Sequence, residues 1–176
     1  MVRTPPRKTV KFRGGGVHRQ LAERGETPAW HFSSNVAHAW AMASKGLGVS
    51  HVMIILKTWS NAWCTTTRFH ELHSWPCIFG CSDREDSLQH YLNCSHFWSG
   101  VCSREWAHVD PAVRLGLERP TGLRLRLVIV ASRVYHTIKF NHRTDIENAL
   151  SSGNFERVRE ISRILAAHFR QEMGIT

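Results

Sequence analysis

Apolar residues recur at helical spacing in four stretches of this chain. In the first, residues 29 to 45, the spacing predicts a helix that starts near Ser33 or Ser34 and stops at Gly46. A second helix is predicted from Ser50 to about residue 64. The apolar positions of these two stripes are Trp30, Val36, Ala37, Trp40, Ala41, Ala43, Val52, Ile55, Leu56, Trp59 and Trp63. We expect the tryptophans to lie in the core, with stacking on nucleic-acid bases as the alternative.

The other two stretches lie in the C-terminal third. Residues 123 to 141 carry apolar side chains at helical intervals, although alternation and β-branching leave a buried strand through 125 to 130 as an alternative. Residues 155 to 173 predict an amphipathic helix that Gly174 ends, with its apolar face on the core; docking of this helix on a protein partner is the alternative. That face contains Val158, Ile161, Leu165, His168 and Phe169.

Between these pairs of helices lies a cluster of residues with the chemistry of metal ligands. Cys77 and Cys81 are four residues apart, as are His90 and Cys94, and all four fall within 18 residues. Three thiolates and one imidazole complete the tetrahedron that Zn²⁺ prefers and leave no position for water. Gly80 allows the chain to fold back between the first two ligands. We therefore predict a closed zinc site.

The sequence before the second ligand pair contains helix-start signals. Ser82 with Glu85, or Asp86 with Gln89, matches a capping box. A helix here would present the second ligand pair on one face, since side chains four residues apart lie one turn from each other. We expect a knuckle followed by a short helix.

Alternatives to this ligand set remain open. His73, His96 and Cys102 flank the cluster, and each could replace one of its members. The cluster could also be a chance grouping of inert core cysteines, or its cysteines could belong to a disulfide framework. The odd cysteine count of 5 and the lack of a recognisable secretory signal favour a reducing, intracellular compartment.

The charge of the chain suggests a polyanionic partner. The formal net charge is +9 and the pI about 10.0, which in an intracellular protein favours nucleic acid. Residues 71 to 110 carry six acidic and two basic side chains, whereas residues 111 to 144 carry one acidic and seven basic. We therefore expect RNA or DNA to contact the basic flanks rather than the knuckle. The candidate phosphate contacts in the C-terminal flank are Arg124, Arg126, Arg133, Lys139 and Arg143.

Composition also sets the expected domain organisation. Residues 1 to 28 predict a disordered, flexible basic arm, 29 to 70 a helical segment leading into the knuckle, 71 to 106 the zinc-binding region, and 107 to 176 a C-terminal helical region. The fold class is mainly α, a small helical domain around a Cys-Cys-His-Cys zinc knuckle. No apolar run is long enough to cross a membrane. The arm favours a nuclear over a cytoplasmic location, with a mitochondrial presequence as an alternative.

The central part of the chain resembles a known family. The segments that carry the resemblance are Trp63-Cys64-Thr65-Thr66-Thr67-Arg68-Phe69-His70, Cys77-Ile78-Phe79-Gly80-Cys81, Asp86-Ser87-Leu88-Gln89-His90-Tyr91-Leu92-Asn93-Cys94 and Phe97-Trp98. Over about forty residues they are similar to the zinc-binding region C-terminal to the polymerase of non-LTR retrotransposon reverse transcriptases. The resemblance implies the same four zinc ligands, a grip on template RNA or target DNA, and Arg68 as a contact to the nucleic-acid backbone.

The chain departs from that family in its catalytic residues. Polymerisation requires carboxylates that hold two metals, and no Tyr/Phe-x-Asp-Asp motif occurs. We therefore expect a fragment or remnant that binds nucleic acid without catalysis. Two competing hypotheses are a zinc-stabilised protein-interaction module and a metal-dependent nuclease using His136 and His142 near Asp145.

Overall fold

The structure is a computed structural model that describes residues 29–69, 74–102 and 105–175. The predicted N-terminal arm and His73 lie outside these ranges. The helices are α1 (Ala29–Gly46), α2 (Val49–Trp59), α3 (Leu88–Tyr91), α4 (Ser95–Val101), a 3₁₀ turn (Glu105–His108), α5 (Pro111–Arg114), α6 (Gly122–Asn141), α7 (Arg143–Ser152) and α8 (Glu156–Glu172). The mainly α prediction is confirmed. Within the described ranges the extended structure is one antiparallel bridge, Pro76 with Glu85.

Helix α6 lies at the centre of the fold. It begins where the Thr121 hydroxyl accepts a hydrogen bond from the Arg124 N–H at 3.2 Å. Eleven of its residues are buried, on more than one face, because α6 packs against α1, α2, α4, α5, α7 and α8. The strand alternative for residues 125 to 130 is wrong. Burial on several sides explains the continuous apolar run that suggested a strand.

Helix α8 covers one side of α6, and its apolar face is intramolecular. Val158, Ile161 and Phe169 are buried against α6 and α4, as the amphipathic pattern predicts. His168, placed on that face by the sequence, is instead exposed and pairs with Glu172. The face that we considered for a protein partner is thus occupied by the chain itself.

Helices α1 and α2 differ from their predicted bounds. Helix α1 begins at Ala29, so neither Ser33 nor Ser34 starts it. Helix α2 ends at Trp59 rather than near residue 64. The chain turns after it because Asn61 adopts a left-handed conformation with φ of 56°. That turn redirects the following residues towards the interior.

The prediction that the tryptophans lie in the core is confirmed for Trp63 and wrong for Trp40, which is 42% exposed. The Trp63 indole stacks on the Tyr135 ring at 4.9 Å between centroids and meets Phe97 edge-on at 5.9 Å. The indole N–H donates to the Thr58 hydroxyl at 2.9 Å. Trp59 likewise donates its indole N–H, to the Leu115 carbonyl at 3.1 Å. No helix in the described ranges is both long enough and apolar enough to cross a membrane.

Candidate metal centre

Two chain reversals build the first half of the site. The Cys77 N–H donates to the Arg84 carbonyl at 2.7 Å, and the Gly80 N–H donates to the Cys77 carbonyl at 3.0 Å. Gly80 has a φ of +81°, which an L side chain rarely adopts, and the Phe155 ring lies against the space where a Cβ would be. Both features require glycine between the first two cysteines. The Cys77 and Cys81 side chains are thereby brought to the same side of the turn.

The second half of the site is formed by two helix ends. Ser87 caps α3 by accepting the His90 N–H at 3.2 Å, so neither predicted capping box starts this helix. Helix α3 ends at Tyr91, and Cys94 is the N-cap of α4, where its sulfur accepts the Phe97 N–H at 3.4 Å. The prediction that one helix carries His90 and Cys94 is therefore wrong.

The structure nevertheless brings the four predicted ligands together. One potential ligand atom from each of Cys77, Cys81, His90 and Cys94 lies within 4.8 Å of all the others. The sulfur of Cys94 is 3.9 Å from that of Cys77 and 3.4 Å from that of Cys81. These separations exceed an S–S bond of about 2.05 Å, and the cysteines are free thiols. The arrangement can hold a metal ion.

The imidazole of His90 supplies an independent test of this fit. Its Nε2 atom is buried and has no hydrogen-bond partner among the described residues. An orphaned buried nitrogen is destabilising, typically by about 1–3 kcal/mol. A metal ion at the cluster would satisfy this atom, because imidazole nitrogen is a common metal ligand.

Proximity also controls the protonation of the three thiols. Hydrogen bonds from Cys77 and Cys94 lower the pKa of Cys81 to about 3, and nearby Arg159 and Arg84 favour its thiolate. Hydrogen bonds with Cys77 and Cys81, together with burial, raise the pKa of Cys94 above its usual range. The first thiolate thus forms readily and the next is disfavoured. Binding of a divalent cation would replace the remaining protons.

Beside the metal cluster lies a second polar cluster, centred on the fully buried carboxylate of Asp86. One oxygen accepts hydrogen bonds from the Tyr91 and Tyr135 hydroxyls, both at 2.8 Å. The other accepts the Thr66 N–H at 2.8 Å and pairs with the Lys139 ammonium at 2.7 Å. This carboxylate therefore joins the segment between Cys81 and His90 to α6 and to the turn that follows α2.

The Asp86 cluster corrects one of the predicted phosphate contacts. Lys139 is only 9% exposed, and its ammonium is committed to Asp86. Breaking such a buried pair is costly, because it leaves an uncompensated charge in the interior. Lys139 is therefore a structural residue, and it is not available at the surface for a phosphate.

The five predicted arginines fall into two groups. Three fasten α6 to its neighbours: Arg124 donates to the carbonyls of Glu118 and Arg119, Arg126 to the Met173 carbonyl, and Arg133 pairs with Glu172 while covering the Phe169 ring. The other two are exposed. Arg68 donates to the Ala62 carbonyl at 3.3 Å, and Arg143 pairs with Glu147 at 2.8 Å. Arg68 and Arg143 are therefore better placed than the other three arginines to contact a polyanion.

The alternative ligands lie outside the cluster wherever they are described. His96 and Cys102 are not among the four grouped residues, and burial raises the pKa of Cys102 to about 12. His136 is held by the Ser132 carbonyl at 2.7 Å, and His142 contacts Asp145 at 3.2 Å. Within the described ranges, these two histidines belong to no group of three or more residues that could hold a metal.

Two residues that support the site are not identifiable from the sequence. Asp86 belongs to an acidic run with no sign of burial, and Arg159 falls on the polar side of the last helix. Arg159 donates its Nε–H to the Phe79 carbonyl at 3.0 Å, which ties α8 to the knuckle. No local pattern identifies either role, because Lys139 lies 53 residues after Asp86, and Arg159 lies 80 residues after Phe79.

No family model matches the chain, and neither a curated protein nor a solved structure matches it. The resemblance to the reverse transcriptase zinc region therefore stays a prediction from the sequence.

Proposed function

We propose that this chain is a zinc-stabilised nucleic-acid-binding module with no catalysis of its own. The observation that carries the proposal is the cluster of four potential ligands in a strongly basic chain, together with a buried His90 Nε2 that has no hydrogen-bond partner among the described residues. The metal fixes the loop that contains Asp86. Through Asp86 it positions α6 and the turn that carries Arg68.

The spacing of the ligand atoms favours zinc. Zn–S bonds of about 2.3 Å in a tetrahedron place neighbouring sulfurs about 3.8 Å apart. The two sulfur distances from Cys94, 3.9 and 3.4 Å, lie on either side of that value. Three thiolates and one imidazole are also the donor set of structural zinc sites rather than of calcium or magnesium sites.

A structural role follows from the number of ligands. A catalytic zinc ordinarily has three protein ligands and an open fourth position for water or substrate. Here four side chains converge, and Cys77 and Cys94 are buried. The site is therefore suited to holding the fold together, which supports a binding function over a metal-dependent nuclease.

The distribution of charge directs nucleic acid away from the metal. Three thiolates on one Zn²⁺ leave a net negative charge, and residues 71 to 110 are acidic. Two of the arginines predicted to contact phosphate, Arg68 and Arg143, are exposed, and they lie on the flanks of this region in the sequence. Electrostatic binding of this type has dissociation constants on the order of 10⁻⁴ to 10⁻⁶ M and weakens steeply with salt.

The resemblance to non-LTR retrotransposon reverse transcriptases supports a narrower proposal of origin. Under this narrower proposal the chain is a fragment or remnant of such an enzyme, and the chain contacts template RNA or target DNA. A polymerase reading frame directly upstream in the genomic DNA is the expected finding. An upstream region without any such frame would leave the nucleic-acid proposal standing and remove the retroelement one.

A protein partner on residues 155 to 173 has less support. The apolar face of α8 is already buried within the chain, and the large apolar side chain left exposed on this helix is Ile164. Docking on this helix stays a prediction, which self-association or protein capture in the absence of nucleic-acid binding would favour.

The test combines metal analysis with binding. We expect purified protein to contain one zinc per chain and to bind fluorescently labelled RNA or DNA. The affinity should fall steeply between about 50 and about 200 mM salt. His90→Ala and Cys77→Ser should lose the zinc and most of the binding, because the Asp86 loop is no longer fixed.

Cys102→Ala is the matched control. This cysteine is free and lies outside the cluster, so its removal should leave zinc content and binding unchanged. Binding that does not respond to salt, or that survives complete loss of zinc, would contradict the proposal.

A further inference from the structure

Two exposed phenylalanines, the half-buried Trp75 and several cations lie on segments that hydrogen bonds join around the turn that follows α2. We define the aromatic-basic face as Lys57, Arg68, Phe69, Trp75, Phe140 and Arg143. Phe140 is 63% exposed and Phe69 53% exposed, although phenylalanine is ordinarily buried. The exposure of these two aromatic side chains next to several cations suggests a binding surface.

Hydrogen bonds hold the parts of this face together. The Cys64 N–H donates to His136 Nε2 at 3.4 Å, and the Cys64 carbonyl accepts the Tyr135 hydroxyl at 3.3 Å. The Trp75 N–H donates to the Thr66 hydroxyl at 3.1 Å. The turn that carries Phe69 is therefore fixed both to α6 and to the segment that carries Trp75.

Each aromatic ring of the face is supported from behind or paired with a cation. The Phe140 ring stacks on His136 with an interplanar angle of 15°, so one of its faces is backed and the ring is largely exposed. The Arg68 guanidinium lies 5.4 Å from the Phe69 ring centroid, and the Arg143 guanidinium lies 5.4 Å from that of Trp75. These are cation–π distances.

This combination matches the chemistry of single-stranded nucleic acid. Unpaired bases offer flat π-faces that stack on aromatic side chains, while the backbone phosphates attract nearby cations. In a duplex the bases are already stacked on each other, and a protein reads mainly groove edges and phosphates. A protein partner would match the rings but not the adjacent cations, unless it were acidic.

We infer that the aromatic-basic face binds single-stranded RNA or DNA in preference to duplex, with bases stacked on Phe69 and Phe140 and phosphates near Arg68, Arg143 and Lys57. The inference deepens the proposed function and rests on it. Glu85 and Glu147 lie at the border of the face and limit how far the phosphate backbone extends in those directions.

The test compares a labelled single strand of about 12 nucleotides with the same strand annealed to its complement, using the full chain loaded with zinc. Phe69→Ala combined with Phe140→Ala should weaken single-strand binding about tenfold or more, with duplex binding nearly unchanged. Phe69→Tyr with Phe140→Tyr should restore single-strand binding, since the rings return. Arg68→Gln with Arg143→Gln should weaken both forms and reduce the salt dependence.

Ile164→Ala is the matched control, because it also removes an exposed large apolar side chain, but from α8. It should change neither affinity. If the alanine pair weakens both forms equally or neither, the stacking inference is overturned while the proposed function stands. If the unaltered protein binds neither form at low salt, the proposed function fails and the inference with it.

Discussion

Two polar clusters lie side by side in the interior, and they differ in what completes them. At Asp86, every partner comes from the chain: two hydroxyls, one backbone N–H and one ammonium surround the carboxylate. At the four-ligand cluster, three sulfurs crowd together and the His90 nitrogen has no partner within the described ranges. The first cluster is complete as folded, whereas the second has the donors to hold a metal ion that would complete it.

The side chain of Tyr91 lies between the two clusters. Its hydroxyl donates to Asp86 and accepts the N–H of Ile78, the residue directly after the first ligand, at 3.4 Å. Burial raises the pKa of this phenol well above its usual value, so it stays a donor. A cluster whose polar atoms are all hydrogen-bonded within the chain contributes the same stability at any metal concentration. A cluster completed by a bound ion makes the stability of the surrounding residues depend on the concentration of that ion.

Removal of the metal should give the largest effect and the clearest break between the clusters. Zinc-binding free energies of about 10–16 kcal/mol are comparable to the total stability of a domain. We expect a strong chelator, or the His90→Ala change, to lower the melting temperature sharply and to unfold residues 75 to 94. Hydrogen exchange measured with and without chelator would show this. A melting curve that the chelator does not move would remove the distinction between the clusters.

The second largest effect is expected from Asp86→Asn. This change leaves the Lys139 charge buried without an anion, and breaking a buried pair in this way typically costs about 3–5 kcal/mol. Folded protein should still contain zinc, because none of the four ligands is altered. Denaturant unfolding and metal analysis test both statements.

Asp86→Asn combined with Lys139→Met should recover part of the lost free energy of unfolding, because no uncompensated charge remains. A double variant that is no more stable than Asp86→Asn alone would contradict this account of the Asp86 cluster.

The third prediction concerns the contact between the knuckle and α8. In Gly80→Ala the new Cβ would lie 2.5 Å from the Phe155 ring, in a backbone conformation with positive φ. The combined strain should lower the free energy of unfolding by about 2–4 kcal/mol. Calorimetric or denaturant unfolding measures the loss.

Gly153→Ala is the matched control for this change. Its φ is +71°, but nothing lies within 4 Å of its added Cβ, so only the backbone term of about 1–2 kcal/mol remains. Equal losses in the two variants would show that the Phe155 contact contributes nothing.

The smallest expected effect is a change in pH dependence. Burial lowers the pKa of His136, and nearby Lys57 and Lys139 lower it further, so the folded state disfavours the imidazolium. As pH falls below about 6.5, the ordinary value for histidine, the unfolded chain takes up this proton more readily than the folded chain, and stability decreases. In His136→Gln this imidazole is absent, so the free energy of unfolding should fall less steeply than in the unaltered protein as the pH drops through about 6.5. Protonation of the metal ligands occurs in both proteins and therefore does not contribute to the difference. Identical slopes would contradict the assignment.

The sequence predicted which four residues lie together, and local chemistry explains why. Residue type and paired spacing favour Cys77, Cys81, His90 and Cys94, because metal geometry restricts which residues can serve, and the structure brings these four within 4.8 Å of one another. The route by which His90 and Cys94 approach was predicted incorrectly, since four-residue spacing suits a helix turn but also suits a helix end followed by a cap. Spacing alone does not distinguish these two.

The sequence does not predict the role of a residue whose partner lies far away along the chain. Lys139 lies in a helix rich in basic residues, and its burial is set by Asp86, 53 residues earlier. Helix α7 was also not predicted, as its ten residues include only a short apolar stripe with Ile146 and Ala149 buried. Amphipathic periodicity identified α6 and α8, because long stripes average out the exceptions.

The order of the residues along the chain has a consequence for biosynthesis. All four metal ligands have emerged from the ribosome's active site by residue 94, well before Tyr135, Lys139 and Arg159 are translated. All the residues of the proposed zinc site are thus synthesised before α6, whereas the carboxylate of Asp86 must wait for half of its partners. If the proposed zinc binds at this stage, the knuckle is already folded when α6 is synthesised and packs against it.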